Sequence, residues 1–192
     1  MPTEHAPPDL DRRMKGRWCQ LRPVLPSDSV WLYMLMESAK EAYRFRFRDA
    51  QPSFEAVAAR DPSVYAHYIV MNAANGESLG YVVAHNADIR SGVATISAIS
   101  HPDDRGDFRA VEGIRLFVDD LFQRLEFRKL YAEVFEFNRL VLQSLKRLGF
   151  QSEGVLVDHL RYGGRYWSLH LLALYADAWR RWSFDSTGRR ST

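Results

Sequence analysis

The sequence of 192 residues has little cysteine: Cys19 is the single one, so no disulfide can form within the chain. This excludes the disulfide-stabilised secreted folds and indicates a reducing compartment, so we expect a cytoplasmic protein. Cys19 lies in an apolar, strand-like run, where a buried structural thiol is expected rather than a nucleophile.

The sequence also lacks long apolar runs and an excess of one charge. No run approaches the roughly 20 apolar residues that a membrane helix requires, so we expect no membrane association. The polar N-terminal segment has no apolar core of a signal peptide. With 26 basic and 24 acidic residues, the net charge of +2 does not support a general nucleic-acid binder.

The hydrophobic pattern predicts an antiparallel meander in the first half of the chain. Strands are expected at residues 18–24, 65–71, 79–85 and 92–100, with helices at 26–43 and 53–60. Asn75-Gly76 predicts a turn between the second and third strands.

From Val111 the period changes to that of an amphipathic helix, with a stripe at Ile114, Val118, Leu121, Phe122 and Leu125. A strand at 129–135, a helix at 140–148 carrying Val141, Leu145 and Leu148 on one face, strands at 154–162 and 166–175, and a short helix at 176–182 follow. Gly149 suits the left-handed helix stop.

This order predicts an α+β fold with a single domain at residues 17–182, between flexible tails at 1–16 and 183–192. The strand at 92–100 crosses over through a helix to the strand at 129–135. These two strands are therefore expected to be parallel within a mixed sheet.

The stretch from His101 to Phe150 contains motif residues in a specific order. They are Pro102, Arg105-Gly106, Ala110, Glu112, Asn138, Gly149-Phe150 and, just beyond, Glu153-Gly154. With the element order, they resemble the GNAT superfamily of acyl-CoA-dependent N-acyltransferases over residues 18–182. The resemblance is closest to the branch of the ribosomal-protein alanine N-acetyltransferases.

The resemblance implies a mostly antiparallel GNAT-like sheet of about seven strands, with helices on both faces and a splayed central parallel pair. It implies acetyl-CoA or another acyl-CoA as co-substrate, no metal, and an amine acceptor on a small molecule or a peptide N-terminus. The residues implied in binding the co-substrate are Ile99, Ser100, His101, Arg105, Gly106, Asp107, Phe108, Arg109, Ala110, Val111 and Asn138.

Three positions depart from the family. Phe108 stands where the phosphate-binding loop has glycine and is expected to crowd the phosphates. Leu145 replaces a tyrosine acid, which leaves Ser144 as the nearest hydroxyl. Thr95 replaces a glutamate base, so the catalytic candidates are His101 and Ser144, and a base could also come from His85, Asp103 or His159.

The acceptor site is expected at an arginine-rich segment between the first two helices. Tyr43, Arg44, Arg46, Arg48 and His85 are the candidate residues. If the segment is extended, the arginines share one side and suit an anionic or peptide-like acceptor. The alternative is a helix end with solvated arginines and packed aromatics.

Two further functions stay open. One is a GNAT-fold transferase whose acyl donor is an aminoacyl-tRNA or a carrier protein, which makes tRNA a less favoured partner. The other is a degenerate, non-catalytic binding protein. A homodimer could form through the aromatic positions Tyr166, Trp167, Trp179 and Trp182.

Overall fold

The computed structural model describes residues 14–37, 53–58, 61–100 and 107–181, which form one mixed sheet. The strands are β1 (Cys19–Pro23), β2 (Val64–Asn72), β3 (Ser78–Asp88), β4 (Val93–Ser100), β5 (Lys129–Phe135), β6 (Gln151–Tyr162) and β7 (Arg165–Tyr175). Their spatial order is β1-β2-β3-β4-β5-β7-β6, and only β4 and β5 are parallel neighbours among these strands. The predicted mixed sheet is confirmed.

The helices follow the predicted order. A 3₁₀ turn (Pro26–Asp28) leads into α1 (Ser29–Glu37), followed by α2 (Phe54–Ala58), α3 (Phe108–Gln123), α4 (Arg139–Arg147) and α5 (Ala176–Arg180). The predicted continuation of α1 to residue 43 lies outside the described residues. The strand predicted to start at 154 begins earlier, because Gln151 and Ser152 already pair with β7.

The two faces of the sheet carry separate hydrophobic clusters. On one face, α3 packs its predicted stripe over the strands, with Val118, Leu121 and Phe122 buried. On the other face, α1 packs Leu32 and Leu35 against β2 and β3. Each such side chain contributes about 1.5–3 kcal/mol by burial, so these clusters fix both helix layers on the sheet.

Helix α4 packs less tightly and with a different face than the pattern predicts. Leu142, Leu145 and Leu148 are partly buried against the α3-side cluster, whereas Val141 is 45 % exposed. The prediction that Val141 shares the packed face is therefore wrong. Gly149 has φ of +96°, which confirms the predicted left-handed stop.

Glu112 anchors the first turns of α3 to the start of β1. Its carboxylate accepts backbone N–H bonds from Arg17, Trp18 and Cys19 at 2.8–2.9 Å. A Cβ on Gly16 would lie 2.5 Å from the Glu112 carboxyl carbon, so a larger residue there would displace this carboxylate from its backbone partners. These contacts fix where the N-terminus of α3 lies over the sheet.

The chain before β1 is also packed. Met14 is buried, and its carbonyl accepts a bond of 2.8 Å from the N–H of Leu21. Packing therefore begins before residue 17, where the predicted domain starts. The rest of the predicted tails, at 1–13 and 183–192, lies outside the described residues. None of the described helices has the length and apolar character that crossing a membrane requires.

Candidate functional site

The centre of the sheet opens where β4 and β5 separate. Their register joins three residue pairs, the last of them Thr95 with Tyr131, and both strands then continue, to Ser100 and to Phe135. Ala98 of β4 is exposed beside this opening although it lies in a central strand. The gap that this separation leaves between the two central strands, called the slot below, is a candidate site for an extended ligand.

The end of β4 is held against β3 at a glycine. Gly80 pairs with Ser100, and a Cβ on Gly80 would lie only 2.5 Å from the carbonyl oxygen of Ile99. The predicted co-substrate residues Ile99 and Ser100 thus lie at the edge of the opening, in backbone that a larger side chain at position 80 would displace.

The N-terminus of α3 carries its own carboxylate. Asp107 is the N-cap, and its Oδ1 accepts the Arg109 N–H at 2.7 Å and the Arg109 Nε–H at 3.0 Å. The guanidinium hydrogen bond, followed by the backbone bond, holds the pKa of Asp107 below its usual value. A negative charge therefore sits at the helix end that sequence analysis assigns to phosphate.

Phe108 stands where the resembled family has glycine, and its backbone is unstrained. It is the first residue of α3, and the described residues with positive φ do not include it. Its ring is 58 % exposed and lies edge-on to Trp18, with the centroids 5.1 Å apart. Phe108 therefore needs no conformation that glycine alone adopts. Whether the ring crowds phosphate stays a prediction.

A shallow cavity of about 440 Å³ lies beside this helix end, and Trp18 and Phe108 are among its walls. The remaining lining comes from Arg17, Asn72, Ala73, Ala74, Asp107 and Arg109. The Arg17 guanidinium lies 4.8 Å from the centroid of the Trp18 ring.

The remaining described candidates lie on or beside the helices that follow β4 and β5. Ala110 and Val111 are in the first turn of α3, and the Val111 N–H bonds the Asp107 carbonyl at 3.3 Å. Asn138 is the N-cap of α4, and its N–H bonds the carbonyl of Phe135, the last residue of β5, at 2.8 Å. Ser144 is exposed on α4, where its carbonyl accepts the Leu148 N–H at 3.0 Å.

The α1 side of the sheet presents polar groups near the opening. His85 of β3 lies with Nε2 3.0 Å from Ser97 Oγ of β4. One strand further away, His67 Nδ1 lies 3.3 Å from the Tyr81 hydroxyl. Strand alternation places Thr95, Ser97 and Ile99 on this same face.

Glu133 is missing from the sequence-based set of bases. It is exposed on β5, in phase with Tyr131 and on the same sheet face as Ser97. The bases predicted from sequence are three histidines and Asp103, and none of them lies on β5. The signal that could have found Glu133 is the alternation of β5, where Tyr131 and Glu133 interrupt the buried Leu130, Ala132 and Val134.

Not every predicted site residue is brought to this opening. His159 is exposed on β6, which β7 separates from β5. The predicted residues Tyr43, Arg44, Arg46, Arg48, His101, Asp103, Arg105 and Gly106 lie outside the described residues. Within the described ranges, no group of three or more His, Cys, Asp or Glu side chains could hold a metal ion.

Comparison with known proteins bears on the fold. No family model matches the sequence. A search of curated proteins finds no match either. Among solved structures, spermidine N-acetyltransferase from Vibrio cholerae in complex with CoA and spermine is similar at TM-score 0.76 and 19 % identity, covering 85 % of this chain and 98 % of that one.

A chimera of the spermidine N-acetyltransferase SpeG from Vibrio cholerae and hSSAT is similar at TM-score 0.75 and 20 % identity, with coverage of 85 % and 98 %. At this identity the likeness establishes the fold, and the predicted GNAT-like fold is confirmed. The narrower resemblance to the alanine N-acetyltransferase branch finds no support in these structures.

Proposed function

We propose that the chain is an acyl-CoA-dependent N-acyltransferase that moves an acyl group to a primary amine, with acetyl as the favoured acyl group. The observation that carries this proposal is the opening between β4 and β5, which pair only as far as Thr95 and Tyr131. The spermidine N-acetyltransferase of similar fold was solved with CoA and spermine, which supports a thioester donor and an amine acceptor.

An acyl-CoA in the slot would meet a mixed charge at the N-terminus of α3. The opened strands leave room for a pantetheine arm, and the first turn of α3 would face the phosphates. Asp107 already occupies that turn, paired with Arg109. The paired carboxylate and guanidinium sum to no net charge, so the phosphates would depend on backbone N–H groups and on the predicted Arg105.

The chemistry is direct attack. The amine nitrogen attacks the thioester carbonyl carbon, the C–N bond forms, and the C–S bond breaks to release CoA. The backbone near Ile99 and Ser100 would polarise the carbonyl, and the walls of the slot would orient the two reactants.

Two kinds of amine are candidates for the acceptor. The likeness to spermidine N-acetyltransferases favours a polyamine. The predicted arginine segment at Arg44, Arg46 and Arg48 favours an anionic small molecule or a peptide N-terminus instead. Both are primary amines and require the same donor.

Calorimetric titration with acetyl-CoA tests the donor, and release of free CoA thiol tests transfer. The amine panel comprises spermidine, spermine, amino-acid amides and short peptides with N-terminal Ala or Ser. We expect acetyl-CoA binding and thiol release with at least one amine. Absence of any acyl-CoA binding at millimolar concentration would refute the proposal.

A second donor class is favoured by one observation, the Asp107 carboxylate at the α3 N-terminus. Its pairing with Arg109 leaves this helix end without net positive charge for the pyrophosphate of free CoA, whereas the phosphates of an aminoacyl-tRNA would meet the predicted Arg44, Arg46 and Arg48. Binding of total tRNA at several salt concentrations tests this, because phosphate contacts give a steep salt dependence. Binding of neither donor would leave the degenerate, non-catalytic protein.

A further inference from the structure

We propose that His85 and Ser97 form the proton-accepting pair of the transfer reaction, with His85 as the base and Ser97 as the hydroxyl through which the proton passes. This inference rests on the proposed function. It addresses the position of Thr95, where the resembled family carries a carboxylate base and this chain has none.

The geometry of the pair is that of a hydroxyl bonded to an imidazole. His85 Nε2 lies 3.0 Å from Ser97 Oγ, and both side chains are half-buried. His85 pairs with Thr95 across the β3–β4 ladder. The imidazole therefore flanks the strand position that lacks the carboxylate. With its proton on Nδ1, His85 accepts the Ser97 hydroxyl proton at Nε2.

The pair also lies close to where the thioester is expected. Ser97 precedes Ile99 by one repeat of β4 on the same sheet face, a distance of about 6.6 Å along the strand. Thr95 is the last β4 residue in register with β5, so Ser97 lies where the strands have already parted. An amine that enters from the α1 side would meet the Ser97 hydroxyl before the carbonyl carbon.

An imidazole suits this task because its ordinary pKa lies near neutrality, which balances the fraction of free base against its proton affinity. The other titratable groups on this face come from the neighbouring strands. Among the described residues they include His67 on β2, Tyr81 on β3, and Tyr131, Glu133 and Lys129 on β5, the last bonded to Glu153. Helix α1, which packs on this face, carries Tyr33 and Glu37. Glu133 is the rival base, since its carboxylate shares the face across the opening.

The protons and electrons balance as follows. The acceptor ammonium gives a proton to Ser97 Oγ while the Ser97 hydroxyl proton moves to His85 Nε2. The free amine attacks, the C–N bond forms, and the C–S electron pair leaves with sulfur. The second amine proton reaches the thiolate through water, and the His85 imidazolium returns its proton to solvent.

The test measures kcat/KM against pH for the wild type and for His85→Gln, with acetyl-CoA and the fastest amine of the panel. If no amine in the panel reacts, hydrolysis of acetyl-CoA is followed instead, because water must lose a proton to the same group. We expect His85→Gln to lose about 100-fold in kcat/KM and to lose the ionisation near neutrality. Its calorimetric affinity for acetyl-CoA should stay within about twofold of the wild type.

Ser97→Ala should lose about tenfold while the neutral ionisation stays, and Ser97→Thr should retain activity because it keeps the hydroxyl. His67→Gln is the matched control, since it removes a second histidine–hydroxyl contact from the same face. Its pH profile should match the wild type.

The pair is overturned if His85→Gln keeps the neutral ionisation, or if Glu133→Gln removes it instead. Failure of the wild type to bind acetyl-CoA overturns the proposed function and the pair together. Calorimetry therefore separates that failure from a failure of the pair alone.

Discussion

The charge of Asp107 should weaken the binding of acyl-CoA, and Asp107→Asn should strengthen it. Asn is as good an N-cap as Asp, so α3 keeps its first turn. The substitution removes the negative charge that lies within hydrogen-bond distance of the Arg109 N–H, and it frees the guanidinium from its partner. The variant therefore offers phosphate a helix end that is positive rather than neutral.

The size of the effect follows from the distances. A phosphate at the same helix end would lie about 5 Å from the carboxylate, where two unit charges interact by about 1–3 kcal/mol at effective dielectric constants between those of water and a protein surface. Taking about 1.4 kcal/mol predicts tenfold tighter acetyl-CoA binding. The lost ion pair, whose side chains are 26 % and 18 % exposed, should lower the free energy of unfolding by under about 1 kcal/mol.

Isothermal titration calorimetry with acetyl-CoA at low and high salt measures the change. The gain should shrink at high salt, since screening weakens charge interactions at an exposed site. Asp177→Asn is the matched control, because Asp177 lies in the first turn of another helix and pairs with an arginine there. Equal or weaker binding by Asp107→Asn, with its thermal stability preserved, would refute the argument that this carboxylate opposes phosphate.

The remaining predictions concern α3 and the strands on which it packs. Glu112→Gln should lower the free energy of unfolding by about 2 kcal/mol in denaturant titration, because three backbone N–H groups lose a charged acceptor. An unchanged midpoint of the unfolding transition would contradict this. Gly113→Val should lower the free energy of unfolding by about 1–3 kcal/mol in the same assay, since even a Cβ at position 113 would lie 2.6 Å from Val70 Cγ1. Gly76→Ala is the control: it lies at an open turn with φ of +76°, so it reports backbone strain alone. Burial, then the nearby Glu112 charge, raises the pKa of Cys19 to about 12, so the folded protein should not react with a thiol reagent at pH 8. Because the raised pKa favours the neutral thiol in the folded state, stability should fall as pH rises from about 9 towards 12, and Cys19→Ala should lack that component.

The fold could be predicted from the sequence because its elements follow from local periodicity. The stripe on α3 and the alternation of β5 each depend on residues a few positions apart. The parallel pair followed from the crossover helix between β4 and β5. Val141 shows the limit of this reasoning, since only the packing of α4 decided that Leu142 faces the core instead.

The site was less predictable because its contacts join residues that are distant in sequence. Glu112 bonds Arg17 across 95 positions, a contact that depends on where α3 crosses β1. The motif identifies Glu112 as a family position but does not indicate its partner. The bond between His85 and Ser97 depends on the β3–β4 register, which periodicity does not determine.

Phe108 and Asp107 show how such contacts change the meaning of a motif. By residue type, Phe108 is the departure that should weaken phosphate binding. In the structure its backbone is helical and its ring lies edge-on to Trp18, so it needs no conformation that glycine alone adopts. The charge that would oppose phosphate at this helix end is that of Asp107, which the sequence resemblance counts among the co-substrate residues. If this helix end binds an anion, its capacity would depend on whether Arg109 stays with Asp107 or turns to the ligand.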